Sequence, residues 1–231
     1  MSFNELELNV ESVVLSCVKW SRYAYNIKLS SVQSSDRGVF YLSDSDTDAQ
    51  AVVIQEPTRT IVAFRGSTTP TDWMHDFKIW RKRVKYLNNA WVHTGFVQQY
   101  EALREGILGK IQGNKPVICC GHSLGGALST IAALDLSLKR MHVTCCTFGS
   151  PRVGSAYFRR LFDKHVKTST RCVFKNDPIT FTPFPLRFSH VGGVCYFDDV
   201  GLYTHNKQKC RCLLGCSPGH HSLDNYLSAV S

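Results

Sequence analysis

Gly121-His122-Ser123-Leu124-Gly125 sets one serine between two glycines, after an apolar β-type run (116–121) and before a helical one (124–139). A strand, a tight turn and a helix in that order make a nucleophile elbow, and the flanking glycines let neighbouring backbone come close. A serine hydroxyl is a poor nucleophile at neutral pH, so it needs a base, and the base needs an orienting carboxylate. His122 is adjacent in sequence, but neighbouring side chains on a sharp turn point different ways. It reads as a packing residue.

With the chain order nucleophile, acid, histidine, the carboxylates after Ser123 include Asp135, Asp163, Asp177, Asp198, Asp199 and Asp224. Asp135 and Asp163 fall in helical patterns. Asp177 follows a strand-like run (171–175) and precedes Pro178, which puts it in a loop at a strand's C-terminal end, where the catalytic groups of open α/β sheets gather. Asp177 is therefore the expected acid, with Asp198 and Asp199 in reserve. The later histidines are His190, His205, His220 and His221. His220 and His221 share a loop leading into a short terminal helix, and the residue pattern alone leaves the two tied. An oxyanion hole needs two donors. Leu124 N–H supplies one, and the Arg65-Gly66-Ser67 turn after the β run 60–64 supplies the other, with the Ser67 hydroxyl in reach.

The elements that must position these groups alternate. A helix is expected over 9–24 with Asn9 as N-cap, turns over 34–48, strands over 50–55 and 60–64, and a helix over 98–111. Strand 116–121, helix 124–139 and further strands at 143–149 and 171–175 follow. Such alternation implies an α/β fold, a mostly parallel sheet with helices on both faces. The 231 residues suffice for one domain, 1–231.

Hydrophobic residues make up 43% and charged residues 19%, a globular composition. Lys and Arg outnumber Asp and Glu by 27 to 18. One basic cluster stands out, Lys78, Arg81, Lys82, Arg83 and Lys85. Trp73, Phe77, Trp80 and Val84 recur at helical spacing through it, a combination suited to an anionic lipid or membrane surface. An alternating edge strand over 78–86 is the competing reading. Nucleic acid is not an expected partner, and the oligomeric state stays open. No apolar run is long enough to cross a bilayer. The start lacks the basic and apolar regions of a secretory leader, so an intracellular, cytoplasmic protein with its ten cysteines reduced is expected. Cys119-Cys120 and Cys145-Cys146 sit in β-type runs as small buried hydrophobes. Cys210, Cys212 and Cys216, near His205, His220 and His221, match no common zinc spacing, so neither metal nor cofactor is expected.

Taken together, the motifs resemble the class 3 lipase family, the fungal-type triacylglycerol lipases. Phe64-Arg65-Gly66-Ser67 is similar to its oxyanion loop, Asp72-Trp73 with Asp76 to the start of its lid, and Val92-His93-Thr94-Gly95-Phe96 to the element after the lid. Gly121 to Ala127 resembles the nucleophile motif, Phe148-Gly149-Ser150-Pro151-Arg152-Val153-Gly154 another hallmark, and Asn176-Asp177-Pro178 the acid motif. The resemblance implies an α/β-hydrolase with Ser123, Asp177 and a C-terminal histidine as triad. It favours His221, which is followed by Leu223 and Tyr226. It further implies Ser67 and Leu124 in the oxyanion hole, Trp73, Phe77 and Trp80 in a lid that meets substrate, and a lipid ester as substrate without cofactor. A phospholipase, a short-chain esterase or a catalytically idle lipid- or partner-binding protein on the same fold are the alternatives.

Overall fold

The computed structural model describes residues 3–27, 38–67, 80–199, 201–204 and 216–230. Its centre is an eight-stranded sheet in the order β1-β2-β3-β6-β7-β8-β9-β10. These strands are β1 (Val39–Asp44), β2 (Ala49–Gln55), β3 (Thr60–Phe64), β6 (Val117–His122), β7 (Val143–Phe148), β8 (Thr168–Phe174), β9 (Gly193–Asp198) and β10 (Gly201–Thr204). The central run from β3 to β9 is parallel, with Phe64 opposite Gly121 and His122 opposite Phe148. β1, β2 and β10 are joined antiparallel at the two ends.

Helices cover both faces. α1 (Phe3–Asn26) and α5 (Leu223–Ala229) lie on one, and α2 (Thr94–Lys110), α3 (Leu124–Leu138) and α4 (Ala156–His165) lie on the other. Strand alternation sorts the core between them. Val62, Phe64, Cys119 and Cys145 pack under α2 and α3, while Ile61, Ala63, Cys120 and Cys146 pack against Val14, Cys17 and Val18 of α1. The two cysteine pairs are buried, as their place in β-type runs implied. Burial holds the Cys119 thiol well above its usual range, and a hydrogen bond with Cys17 together with burial does the same for Cys120, so both remain neutral.

Three local expectations differ from the structure. α1 begins at Phe3, so Asn9 lies inside the helix rather than at its cap. Part of the expected turn region is strand β1, whose Val39-Phe40-Tyr41-Leu42 run pairs with β2 across a turn held by Thr47 N–H to Asp44 Oδ1 at 2.9 Å. The helical stripe expected through Trp80 and Val84 is replaced by strand β4 (Arg81–Val84), paired antiparallel with β5 (Ala90–His93). Asn88 and Asn89, at φ 51° and 60°, turn the chain back between them, a left-handed pair that Asn tolerates better than most residues. Val84 is buried and Trp80 is exposed, so they share no helix face. Trp73 and Phe77 lie outside the described residues, as do Lys78, His205, Cys210 and Cys212.

Candidate active site

Ser123 sits between β6 and α3 at φ 59° and ψ −127°, a strained conformation for a residue with a Cβ. The strain is held in place by the sheet: Ser123 N–H donates to Phe148 O of β7 at 2.9 Å, and its carbonyl accepts from Gly126 N–H at 2.9 Å. Leu124 opens α3, so its N–H belongs to the first turn, where a helix has donors to spare and a positive dipole end. The parallel register of β3 and β6 brings the loop carrying Ser67 out at the same sheet edge.

Asp177 lies just past β8, where Asp177 N–H donates to Phe174 O at 3.1 Å. The carboxylate is fully buried and caps the short turn Pro178–Phe181, accepting from Ile179 N–H at 3.0 Å. His221 Nδ1 lies 2.9 and 2.8 Å from its two oxygens, and Tyr226 Oη donates to Oδ2 at 2.7 Å. A carboxylate only accepts, so His221 Nδ1 carries the proton and Nε2 is left as the free acceptor, the tautomer a general base needs. Burial and the Asp177 charge push the Tyr226 phenol well above its usual range, so it stays a donor.

His221, rather than His220, is the imidazole on Asp177. His220 instead sets its ring against Phe174, with centroids 6.1 Å apart. Of the reserve carboxylates, Asp199 pairs with Lys175 at the surface, and Asp198 closes β9. Asp135 and Asp163 lie in α3 and α4, as their patterns implied. Among the described residues, Ser123 Oγ and His221 Nε2 are enclosed and have no hydrogen-bond partner, the two groups a proton transfer would join. Uncomplexed sites commonly hold this bond open.

Three contributions were not legible as function. His122 Nε2 reaches His221 O at 2.8 Å, which makes it the donor, so the bare Nδ1 accepts from Tyr25 Oη at 3.0 Å. Burial and His221 push His122 well below its ordinary range, so it stays neutral. It therefore ties the elbow to the backbone of His221, beyond mere packing. Tyr25, near the end of α1, also sets its hydroxyl against Gly66 in the loop after β3, where a Cβ would stand 2.1 Å from it. Gly149 has φ 56°, and a Cβ there would stand 2.6 Å from Asp177 Oδ2 and 2.9 Å from His221 Nδ1. The Phe148–Gly154 motif and the aromatic after His221 were the available signals for Gly149 and Tyr226. Nothing in the sequence marked Tyr25. Among the described residues, no group of three or more His, Cys, Asp or Glu side chains is placed to hold a metal ion.

An elbow serine between a parallel strand and a helix in this sheet defines an α/β-hydrolase. The chain belongs to the class 3 lipase family, whose model, described as Lipase (class 3), matches residues 61–186. The secreted mono- and diacylglycerol lipase 1 of Fusarium solani is 29% identical over 136 residues, covering 56% of this chain and 40% of that protein. Phospholipase A1-IIgamma of Arabidopsis thaliana is 28% identical over 229 residues, covering 80% of this chain and 51% of that protein. The chain thus spans about half, or less, of the length of these curated relatives. Solved structures share the fold. The triacylglyceride lipase of Rhizomucor miehei matches with TM-score 0.74 at 18% identity, over 100% of this chain and 98% of that one. The triacylglycerol lipase of Penicillium expansum matches with TM-score 0.74 at 20% identity, over 96% of each.

The cytoplasmic placement expected from the sequence is overturned by relatives named secreted lipases, the Fusarium solani protein and one from Penicillium cyclopium among them. That expectation rested on the first residues, which do not fix a compartment, and the reduced cysteines were inferred from it. Thiols enclosed in a sheet core are shielded from oxidants by packing as well as by a reducing environment.

Proposed function

We propose that the chain is a serine carboxylic-ester hydrolase acting on lipid esters of the acylglycerol type, built as one domain on this sheet. The observation that carries the reading is the convergence at one sheet edge of a strained Ser123 and a His221–Asp177 pair in the tautomer that leaves Nε2 free. Ser123 Oγ attacks the ester carbonyl while His221 Nε2 takes its proton. The oxyanion is held by Leu124 N–H and by the Ser67 side of the loop after β3. His221 returns the proton to the departing alcohol, and water then repeats the sequence on the acyl-enzyme. Asp177 holds the imidazole in place and balances the charge it acquires.

A phospholipid substrate is the second reading, favoured by the Arabidopsis thaliana relative, which is named a phospholipase A1 and aligns over 80% of this chain. The surface suits either lipid. Trp80, Trp91, Phe184 and Leu186 are exposed, and Arg81 stands over the Trp91 ring and donates to Arg187 O at 2.8 Å. Exposed apolar side chains beside arginines fit a transient contact with an anionic lipid surface.

The test is hydrolysis of a monoacylglycerol, a diacylglycerol and a phosphatidylcholine by the chain and its Ser123→Ala variant. Ser123-dependent release of fatty acid from the acylglycerols supports the proposal, and release from the phospholipid alone replaces it with the second reading. Folded protein that hydrolyses none of them, and resists a serine-directed fluorophosphonate, overturns both.

A further inference from the structure

Ser123 directly follows β6, whereas His221 closes the turn Pro218–His221, 99 positions beyond His122. No hydrogen bond joins Ser123 Oγ to His221 Nε2. A proton passes between two such groups only when their spacing is held to within a fraction of an ångström. Asp177 ties His221 to the end of β8 and not to β6, so the spacing to Ser123 needs a second tie.

His122 makes that tie. Its Nε2–H donates to His221 O at 2.8 Å, and its Nδ1 accepts from Tyr25 Oη at 3.0 Å. With one nitrogen committed as donor and the other as acceptor, a single ring orientation satisfies both. The ring is 4% exposed. Its centroid lies 4.5 Å from that of the His221 ring at an interplanar angle of 31°, with the Tyr25 and Tyr226 rings 6.0 and 5.9 Å away. Its backbone is anchored as well: His122 stands opposite Phe148 in the sheet, and the next N–H, that of Ser123, donates to Phe148 O.

An apolar side chain could fill the same slot, but it could not make this bond. Asp177 grips His221 only at its Nδ1 edge, through two nearly equal contacts of 2.9 and 2.8 Å, which leaves the ring free to rock about that edge. A ring stacked on its face opposes the rocking. Burial keeps the His122 ring neutral, so it sets no charge against an imidazolium formed on His221. We propose that His122 is a positioning residue for the ester hydrolysis: it spans from the backbone beside Ser123 to the backbone of His221 and sets the distance across which the serine proton moves. The inference rests on the hydrolase reading above and adds to it the residue that spaces its two reacting groups. Tyr25 belongs to the same device, because its hydroxyl keeps Nδ1 as the acceptor and leaves the N–H on the nitrogen that faces the carbonyl.

The experiment is steady-state kinetics of the whole chain on a soluble short-chain ester, with rates taken per site labelled by a serine-directed fluorophosphonate. His122→Phe keeps a ring in the slot and loses both hydrogen bonds. His122→Gln carries an N–H donor the same number of bonds from Cα as His Nε2. The kcat of His122→Phe should fall about 10- to 100-fold with KM changed by no more than about twofold, and His122→Gln should recover most of the loss. A kcat in His122→Phe within about twofold of wild type, a loss confined to KM, or a His122→Gln no faster than His122→Phe overturns the proposal. Should His122→Phe fail to fold, His122→Met, flexible and without a donor, takes its place under the same criteria. A wild-type chain that neither hydrolyses the ester nor takes the label fails the hydrolase reading instead. The tie is then read from the Nδ1–H proton resonance of His221. A resonance displaced in His122→Phe and restored in His122→Gln supports it, and one unmoved in His122→Phe overturns it.

Discussion

Asp177 takes four hydrogen bonds from three donors, and the donor furthest away in sequence is the most informative. Tyr226 Oη both donates to Oδ2 and accepts Phe174 N–H at 3.0 Å, so one hydroxyl fastens the acid to the end of β8. Tyr226→Phe keeps the ring and removes that bond. A hydrogen bond to a charged group contributes about 1.5–3 kcal/mol. The expected result is a fall in kcat of about tenfold or more with KM little changed, since the phenol touches the acid and no substrate. Steady-state kinetics on a soluble ester reads it; an unchanged kcat would mean that His221 and Ile179 hold the acid unaided. Gly149→Ala acts on the same spot from the other side. The Cβ would fall 2.6 Å from Asp177 Oδ2 at a φ of 56°, so the triad must shift. A loss of activity of about 100-fold or more and of about 1–3 kcal/mol of stability is expected in the same assay and in urea unfolding. Wild-type kinetics in this variant would show that the acid has slack.

Between elements, α1 acts as more than cover for the sheet. Tyr25 donates to His122 of the elbow and sets its hydroxyl against Gly66 of the loop after β3, and its ring lies 6.0 Å from the His122 ring. Gly66→Ala would set a Cβ 2.1 Å from Tyr25 Oη and 2.6 Å from His122 O, so that variant should lose turnover of short soluble esters while short-range secondary structure by circular dichroism persists. On the opposite face, α2 is fastened to α3 by Asp135, which accepts from Tyr100 Oη at 2.8 Å and from Arg104 Nε at 2.7 Å. Asp135→Ala strands a partly buried guanidinium and a buried phenol, a loss of about 3–5 kcal/mol by urea unfolding. The sequence displayed the periodic parts of this arrangement, because strands β2, β3, β6 and β7 and helix α3 bury whole runs. Three other features were ambiguous or hidden for physical reasons. β4 carries three basic residues in a row, so its alternation over 78–86 competed with the helical stripe, and the pairing with β5 across Asn88-Asn89 decides for the strand. β1 is short and polar-flanked. Tyr25 shares helical spacing with ordinary core residues, and only the fold brings it to residues 41 and 97 positions further on. The candidate triad, by contrast, was nearly readable, since chain order and strand ends narrow the acid to Asp177. The remaining tie between His220 and His221 turned on which imidazole the loop Pro218–His221 delivers inward.

At the scale of the whole molecule, charge and exposed apolar surface set the behaviour in solution and at an interface. His122 has a folded-state pKa below its unfolded value, so the unfolded chain binds the extra proton. Its stabilising share is complete above about pH 6.5 and is lost as pH falls from that value toward the lower folded one, with a slope of at most about 1.4 kcal/mol per pH unit; His190 adds to it in the same direction. Urea midpoints at pH 8, 6 and 5 should fall in that order, and His122→Gln should flatten the fall. The exposed apolar surface is where the proposed contact with lipid would act. Trp80, at 69% exposed, Phe184 at 68% and Leu186 at 86% project from the side that carries Arg81 and Arg187. Burying three such side chains in an interface contributes several kcal/mol, and the arginines add attraction to anionic headgroups that salt weakens. Phe184→Ser with Leu186→Ser removes two of these exposed side chains and leaves Ser123, Asp177 and His221 in place, so it tests adsorption apart from chemistry. The double variant should sediment at least about tenfold less with phosphatidylglycerol vesicles and hydrolyse emulsified long-chain ester more slowly. Turnover of a soluble short-chain ester should remain as in the wild type. Equal loss on both substrates would place these side chains in the binding site for the acyl chain, and no loss on either would assign lipid contact to another face.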